Sequence, residues 1–197
     1  MLWHAISALC VPEVAAVFVV LAPDDAHFAR QDWSAFANRL HELRCGGATR
    51  RDSVLNGLGA MGMEDDDWVL VHDAARPCLP AADLKKLLEE GNADAIGAIL
   101  ALPVAETVKS AAKDEAGAQR VASTQDRSQL WLAQTPQMFR AGLLARALAG
   151  CPDATDESAA VERMGLRPRL VPGSRENLKV TYPGDLAIAE SILSRRA

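Results

Sequence analysis

The sequence lacks the features of a zinc-binding, membrane-spanning or secreted protein. It has no pair of cysteines or histidines at the spacing of zinc ligands, which predicts free thiols in a reducing compartment for Cys10, Cys45, Cys78 and Cys151. The longest apolar run, Val14 to Ala22, is far too short to cross a bilayer, and no basic signal-peptide region opens the sequence. We therefore predict a soluble, cytoplasmic protein without a membrane partner.

The sequence also has fewer basic than acidic residues. The 26 acidic residues outnumber 21 lysines and arginines, giving a net charge of -5, and no basic cluster stands out. Such a balance repels a polyanion, so we predict no nucleic-acid partner. The Gly-x-Ser-x-Gly signature of many hydrolases is missing as well. What remains, 197 residues of which 49% are hydrophobic, suits one globular domain over residues 1–197.

Apolar runs alternate with helical patterns along the chain. Val14–Leu21, Trp68–His72 and Ala95–Ala101 are typical of strands buried on both faces. Between them, Arg51–Met61 and Ala81–Glu90 place leucines on one stripe and charges opposite, as amphipathic helices do. This alternation predicts an α/β fold with a mostly parallel sheet, helices on both faces and a ligand site at the carboxyl ends of the strands.

The second half of the sequence is less regular. Residues 103–130, approximately, are polar and without periodicity, which predicts an arm that projects from the domain toward a partner. A mixed segment then runs to Leu148. A helix with an acidic first turn at Thr155–Ser158, a short strand near Arg169–Val171 and a last helix over Gly184–Arg195 complete the predicted elements.

The sharpest local feature is Val71-His72-Asp73-Ala74-Ala75-Arg76-Pro77, where a buried strand ends. Asp73 at the end of a parallel strand is suited to hold Mg²⁺ together with substrate phosphates, Arg76 can bind an anion, and the small Ala74 leaves room for a ligand. An aspartate that caps a helix and a surface arginine would give the same pattern. The residues alone leave these two interpretations about even.

A second feature is the glycine pair Gly46-Gly47, followed by a helix start that contains Arg50, Asp52 and Ser53. Glycines before a helix N-terminus permit close backbone approach to a nucleotide. An ordinary turn with capping residues is the alternative interpretation. Spacing alone does not group the remaining polar candidates, each of which would be a surface residue by default: Thr107, Arg127, Thr135 and Lys179.

Taken in order, five motifs resemble the 2-C-methyl-D-erythritol 4-phosphate cytidylyltransferase family over essentially the whole chain. They are Gly46–Ser53, Val71–Pro77, Asp126-Arg127 with Trp131 and Thr135-Pro136-Gln137, Thr155-Asp156-Glu157, and Asn177–Thr181. The resemblance implies a Rossmann-like fold, a homodimer joined through the arms, and Mg²⁺-dependent transfer of CMP from CTP to methylerythritol phosphate with release of pyrophosphate in isoprenoid precursor synthesis.

The resemblance also implies roles for individual residues. Asp73, Arg127 and Lys179 would be catalytic, with Asp73 as the metal ligand. Substrate contacts would come from Ala74, Arg76, Thr107 and Thr135, and nucleotide contacts from Gly46, Gly47, Arg50, Asp52 and Ser53. Arg127 and Thr135 would come from the partner subunit, which makes each site shared between two chains.

Two departures from the family pattern qualify this expectation. Ala48 stands where relatives can carry an acidic residue that contacts the nucleotide. The family's opening strand and glycine-rich loop have no match, so we expect an N-terminally incomplete domain whose central sheet position lacks its ladder of hydrogen bonds. A shortened form that only binds or dimerises, and a cytidylyltransferase acting on ribitol 5-phosphate, are the two alternative functions.

Overall fold

The strands of the protein form three sheets, which a computed structural model describes over residues 1–196. The strands are β1 Val17–Val20, β2 Leu40–Leu43, β3 Trp68–Val71, β4 Gly97–Pro103, β5 Lys109–Lys113, β6 Gln119–Thr124, β7 Trp131–Arg140 and β8 Arg169–Pro172. The helices are α1 Leu2–Leu9, α2 Arg50–Ala60, α3 Ala81–Asn92, α4 Ala141–Gly150, α5 Glu157–Arg163 and α6 Pro183–Ser194, with short 3₁₀ turns at Phe28–Arg30 and Ser34–Phe36. The predicted α/β class is confirmed.

The largest sheet is mixed and has the strand order β3-β7-β4-β8. β4 and β8 run parallel, whereas β7 runs antiparallel to both β3 and β4. β1 and β2 form a separate parallel pair, and β5 and β6 form an antiparallel hairpin. β3 and β4 therefore lie on either side of the opposite strand β7, which brings residues from distant parts of the sequence together.

β7 and the following helix α4 were not predicted. For β7 the reason is Pro136, which lies inside the strand. A proline has no N–H to donate to a ladder and is rarely found inside a central strand. The structure accommodates it with an irregular register between Ile99 and Ala101 of β4, opposite the proline, and the Thr135–Pro136 peptide is cis. Residues 134–139 of β7 are buried, so the packing of the strand outweighs the missing hydrogen bond.

Helices cover both faces of the large sheet, as predicted. Along β4, Ile99 faces a cluster formed with α2, α4 and α5, while its neighbours Ala98 and Leu100 face a cluster formed with α3. This alternation is the period of two expected for a strand buried on both faces. Within residues 1–196, no helix is both long and apolar enough to cross a membrane.

A gap separates the pair β1–β2 from the edge of β3. Cavities of about 400 and 620 Å³ lie in it, and both are lined by residues of β1 and of β3. Each of these two strands pairs on one side only, so each presents an unpaired edge to the gap.

The hairpin β5–β6 stands away from the large sheet. Every residue of β6 is exposed, and so is most of β5. Exposed apolar side chains lie on this hairpin and at the beginning of β7, which leads back from it: Val121, Leu130, Trp131 and Leu132.

Candidate active site

Asp73 lies directly after β3 and is surrounded by cations. Its Oδ1 accepts a hydrogen bond from Arg50 Nε at 2.9 Å, its Oδ2 lies 3.0 Å from Lys179 Nζ, and Arg76 Nε lies 3.8 Å from Oδ2. Burial alone would raise the pKa of Asp73, but the charges of Arg50 and Lys179 lower it below its usual value. Asp73 is therefore an ionised carboxylate at the carboxyl end of a strand, where the sequence predicts the ligand site.

Arg50 joins Asp73 to a second carboxylate, Glu157. Arg50 Nη1 and Nη2 donate to the two oxygens of Glu157 at 2.7 and 3.0 Å. Burial lowers the pKa of Arg50, but Glu157 and Asp73 outweigh it and hold that pKa above its ordinary value. Thr49 fixes the beginning of α2, since its hydroxyl accepts from Asp52 N at 3.1 Å, and this orients Arg50 at the first helical position.

Glu157 is fully buried in the first turn of α5 and belongs to one of the family motifs, but the sequence predicts no role for it in the site. Asp156 caps that helix by accepting from Ala159 N at 2.9 Å, and Gln137 of β7 donates to Asp156 at 2.9 Å. An acidic first turn is common in helices, so no signal in the sequence indicates that Glu157 binds a site arginine.

Arg76 and Lys179 are held by the segment before α6. Arg76 Nη1 donates to the Asn177 carbonyl at 2.6 Å, and the backbone N–H of Val180 donates to the Ala75 carbonyl at 2.8 Å. The Arg76 side chain is largely buried, and its Nε has no hydrogen-bond partner within the described residues. Lys179 is about half exposed, which leaves its ammonium group free to move toward a ligand.

The glycine pair packs closely against its neighbours. A Cβ on Gly46 would lie 2.8 Å from the Leu21 carbonyl oxygen at the end of β1, and a Cβ on Gly47 would lie 2.4 Å from Asp52 Cβ. The Ser53 hydroxyl accepts from Gly47 N at 3.0 Å and donates to the Thr49 carbonyl at 2.9 Å. The pair therefore allows the loop to lie tightly on α2 and β1, beside the site.

Thr135 lies in the buried part of β7, where its hydroxyl accepts a hydrogen bond from Asp73 N at 3.0 Å. The expectation that Thr135 serves the site of a partner subunit is therefore wrong, since Thr135 contacts Asp73 of its own chain. The motif groups Thr135 with Arg127 because the two are close in sequence. The structure separates them, since the chain enters the core of the large sheet between the two residues.

Arg127 and Thr107 lie at the two sides of the hairpin and are exposed. Within residues 1–196, neither side chain forms a hydrogen bond or an ion pair with the Asp73 cluster. Ala74 is exposed beside Asp73 and borders the 400 Å³ cavity, together with Arg50, Ser53 and Lys179. The structure thus groups the predicted residues into a strand-end cluster and a distant arm.

Comparisons with known proteins identify the family to which the chain is similar. The sequence profile of the 2-C-methyl-D-erythritol 4-phosphate cytidylyltransferase family matches residues 1–195. A relative of that name from Dechloromonas aromatica is 55% identical over 199 residues, covering 100% of this chain and 86% of the relative. A crystal structure of a 4-diphosphocytidyl-2C-methyl-D-erythritol synthase superposes with a TM-score of 0.87 at 41% identity, covering 98% of this chain and 89% of the other.

A further crystal structure, the cytidylyltransferase of Francisella tularensis, gives a TM-score of 0.80 at 32% identity and covers 97% of this chain and 87% of its own. The mixed α/β sheet, shared with these solved structures, and the match to the family profile define the class: the protein is a nucleotidyltransferase. Within that class, the chain belongs to the 2-C-methyl-D-erythritol 4-phosphate cytidylyltransferase family.

Proposed function

We propose that the protein transfers CMP from CTP to 2-C-methyl-D-erythritol 4-phosphate and releases pyrophosphate, as a step of isoprenoid precursor synthesis. An oxygen of the substrate's phosphate forms a bond to the α-phosphorus of CTP, and the bond between that phosphorus and the pyrophosphate oxygen breaks. Such a reaction needs no protein nucleophile, because positioning and neutralisation of charge supply the catalysis. The names of the relatives give no support to a ribitol phosphate substrate or to a non-catalytic form.

The observation that carries this proposal is the convergence of Arg50, Arg76 and Lys179 on Asp73 at the mouth of the 400 Å³ cavity. The three cations exceed the two carboxylates Asp73 and Glu157 by one charge, so the cluster attracts an anion. Lys179 supplies a mobile ammonium group for a phosphate, and Arg76 supplies an unpartnered N–H beside it.

A divalent cation fits this site only in company with a nucleotide. Among the described residues 1–196, Asp73 is the carboxylate positioned for it, since both oxygens of Glu157 bind Arg50. Within residues 1–196, no group of three or more metal-ligating side chains forms a cation site. Mg²⁺ ordinarily takes one or two carboxylates plus substrate phosphates, so Asp73 would hold it with the phosphates of CTP. When bound, the ion neutralises the negative charge that develops on those phosphates.

The proposal extends to a homodimer in which Arg127 and Thr107 of one chain complete the site of the other. Their exposure on the hairpin, away from Asp73 of the same chain, supports this arrangement. A cytoplasmic location also remains our prediction.

Pyrophosphate release with CTP, Mg²⁺ and methylerythritol phosphate tests the reaction. We expect release by the wild-type protein and a loss of at least about 100-fold in kcat/KM for Lys179→Met, since a charged contact to a transferring phosphate is removed. Lys85→Met is the matched control, because Lys85 is an exposed lysine of α3. No release by the folded wild-type protein, or release with ribitol 5-phosphate in preference, would overturn the proposal.

A further inference from the structure

His72 lies outside the set of site residues that the sequence predicts, yet it contacts or is linked to three of them. Its Nε2 lies 3.0 Å from the carbonyl oxygen of Arg76, and its Nδ1 lies 3.1 Å from the Thr135 hydroxyl. That hydroxyl in turn accepts from Asp73 N at 3.0 Å. The turn closes on itself, because Arg76 N donates to the Asp73 carbonyl at 2.9 Å.

His72, Thr135, Asp73 and Arg76 thus form a closed ring of hydrogen bonds. The direction of each hydrogen bond in it follows from the two groups that it joins. A carbonyl oxygen can only accept, so Nε2 of His72 carries the proton. In a neutral imidazole the other nitrogen is then an acceptor, and the Thr135 hydroxyl must donate to it. The order is therefore Asp73 N–H to Thr135 Oγ1, Thr135 O–H to His72 Nδ1, and His72 Nε2–H to the Arg76 carbonyl.

We propose that His72 is a positioning residue for the transfer reaction proposed above: it fixes the Thr135 hydroxyl and, through both ring nitrogens, the turn that presents Asp73 and Arg76 to the ligands. Both nitrogens are engaged within the protein, so His72 has no polar atom left to contact a substrate. The inference rests on the proposed function for its effect on rate, and on geometry alone for the hydrogen-bond order.

The directions of these hydrogen bonds also change the role expected for Thr135. Its only hydroxyl proton is donated to His72, and its oxygen already accepts from Asp73 N. The residue is also buried, with 5% of its surface exposed. Thr135 therefore holds β7 against the Asp73 turn and has no hydroxyl proton left to donate to the substrate, although the resemblance implies that it contacts the substrate.

Variants at both ends of the ring test the inference at pH 8, well above the ordinary histidine pKa of about 6.5. His72→Phe keeps an aromatic side chain but leaves the Arg76 carbonyl and the Thr135 hydroxyl without their hydrogen-bond partner. We expect kcat/KM to fall about tenfold or more. His72→Asn and His72→Gln can each restore one of the two bonds, so their kcat/KM should lie between those of the wild-type protein and His72→Phe. His27→Phe, at an exposed histidine, is the matched control.

A double-mutant cycle separates positioning from packing. Thr135→Val should lower kcat/KM about as much as His72→Phe, Thr135→Ser should retain most of it, and the double variant should be no worse than either single one, because both break the same ring. Multiplicative losses in the double variant, or wild-type kcat/KM in folded His72→Phe, would overturn the inference.

Nitrogen-15 NMR of wild-type protein labelled at histidine gives a readout that does not depend on activity or on variants that fold. The proton of His72 is expected on Nε2, and a proton on Nδ1 in the neutral ring would overturn the inference. A wild-type chain that releases no pyrophosphate would contradict the proposed function instead. In that case the amide shifts of Asp73 and Arg76 in His72→Asn still decide whether His72 positions the turn, since unchanged shifts would exclude it.

Discussion

Arg50 binds Glu157 through both of its terminal nitrogens, at 2.7 and 3.0 Å, and turns its remaining Nε toward Asp73. A fully buried glutamate in α5 thus sets the direction of a guanidinium that faces the ligand site. Planar, bidentate pairing is the geometry that arginine and carboxylate favour. The Asp73 carboxylate is consequently held, through Arg50, by a glutamate that is itself fully buried.

Glu157→Gln should therefore weaken both the fold and the reaction. Glutamine keeps the size of the side chain but removes the charge opposite Arg50, and we expect the free energy of unfolding to fall by about 1–3 kcal/mol, discounted because Arg50 is about one-third exposed. Urea denaturation measures this loss, and kcat/KM should fall about tenfold as Arg50 leaves Asp73. Glu190→Gln, on the exposed side of α6, is the control. Unchanged stability would contradict the bracing role.

The stability of the ligand-free protein should depend on pH through His72. Burial lowers the pKa of His72 to about 4 from 6.5, against the opposing effect of the Arg76 carbonyl and with Asp73 and Arg76 as its nearest charges. A histidine whose folded pKa is depressed binds its proton more readily when unfolded, so its contribution is complete above pH 6.5 and is lost as the pH falls toward 4.

The size of that contribution is on the order of 3 kcal/mol between about pH 7 and pH 4. Urea unfolding of wild type and His72→Gln across this range, without divalent cations, measures it as the difference between the two pH dependences. His27→Gln is the matched variant. Parallel curves for wild type and His72→Gln would show that His72 is protonated in the folded protein at the same pH as in the unfolded chain.

The hairpin should provide the dimer contact. Leu132 is 54% exposed where β7 begins, and Val121 is 67% exposed on β6, so both offer apolar surface to a second chain. Leu132→Asp should convert the proposed dimer to a monomer in sedimentation equilibrium. Ile188→Asp, on α6 and equally 54% exposed, should leave it a dimer. The reverse result would move the interface to α6.

Sharing of the site between chains can be measured by mixing two inactive variants. In a heterodimer of Arg127→Ala and Asp73→Asn, one site combines an intact Asp73 with an intact Arg127 from the other chain. Random exchange of subunits should then restore about a quarter of the wild-type activity. If each chain used its own Arg127, every site would contain one defect and the mixture would stay inactive.

The gap beside β3 should be visible in amide hydrogen exchange. Val17 N and Leu21 N donate to the strand on the β2 side, so by the alternation of a strand the amides of Phe18 and Val20 face the gap. They should exchange faster than those of β4, which has a neighbour on both sides. Equal protection of the two strands would mean that the β1 edge is covered in solution.

Much of the fold could be predicted because it depends on local patterns. The apolar runs around β1, β3 and β4, and the amphipathic stripes of α2 and α3, mark elements whose burial is periodic in sequence. β7 could not be predicted, since Pro136 argues against a central strand and only the packing between β3 and β4 overrides it. Local preference was outweighed there by tertiary contacts.

The candidate site also has a part that the sequence predicts and a part that only the folded chain shows. The ordered motifs were enough to predict the family, and the resemblance to it singled out Asp73, Arg50, Arg76 and Lys179, which the structure brings together. The folded chain was needed to show that Glu157, 107 positions from Arg50, orients it, and that Thr135 and His72 hold the Asp73 turn from within one chain. Hydrogen-bond partners across a fold follow from distance and direction in space, which sequence spacing does not encode.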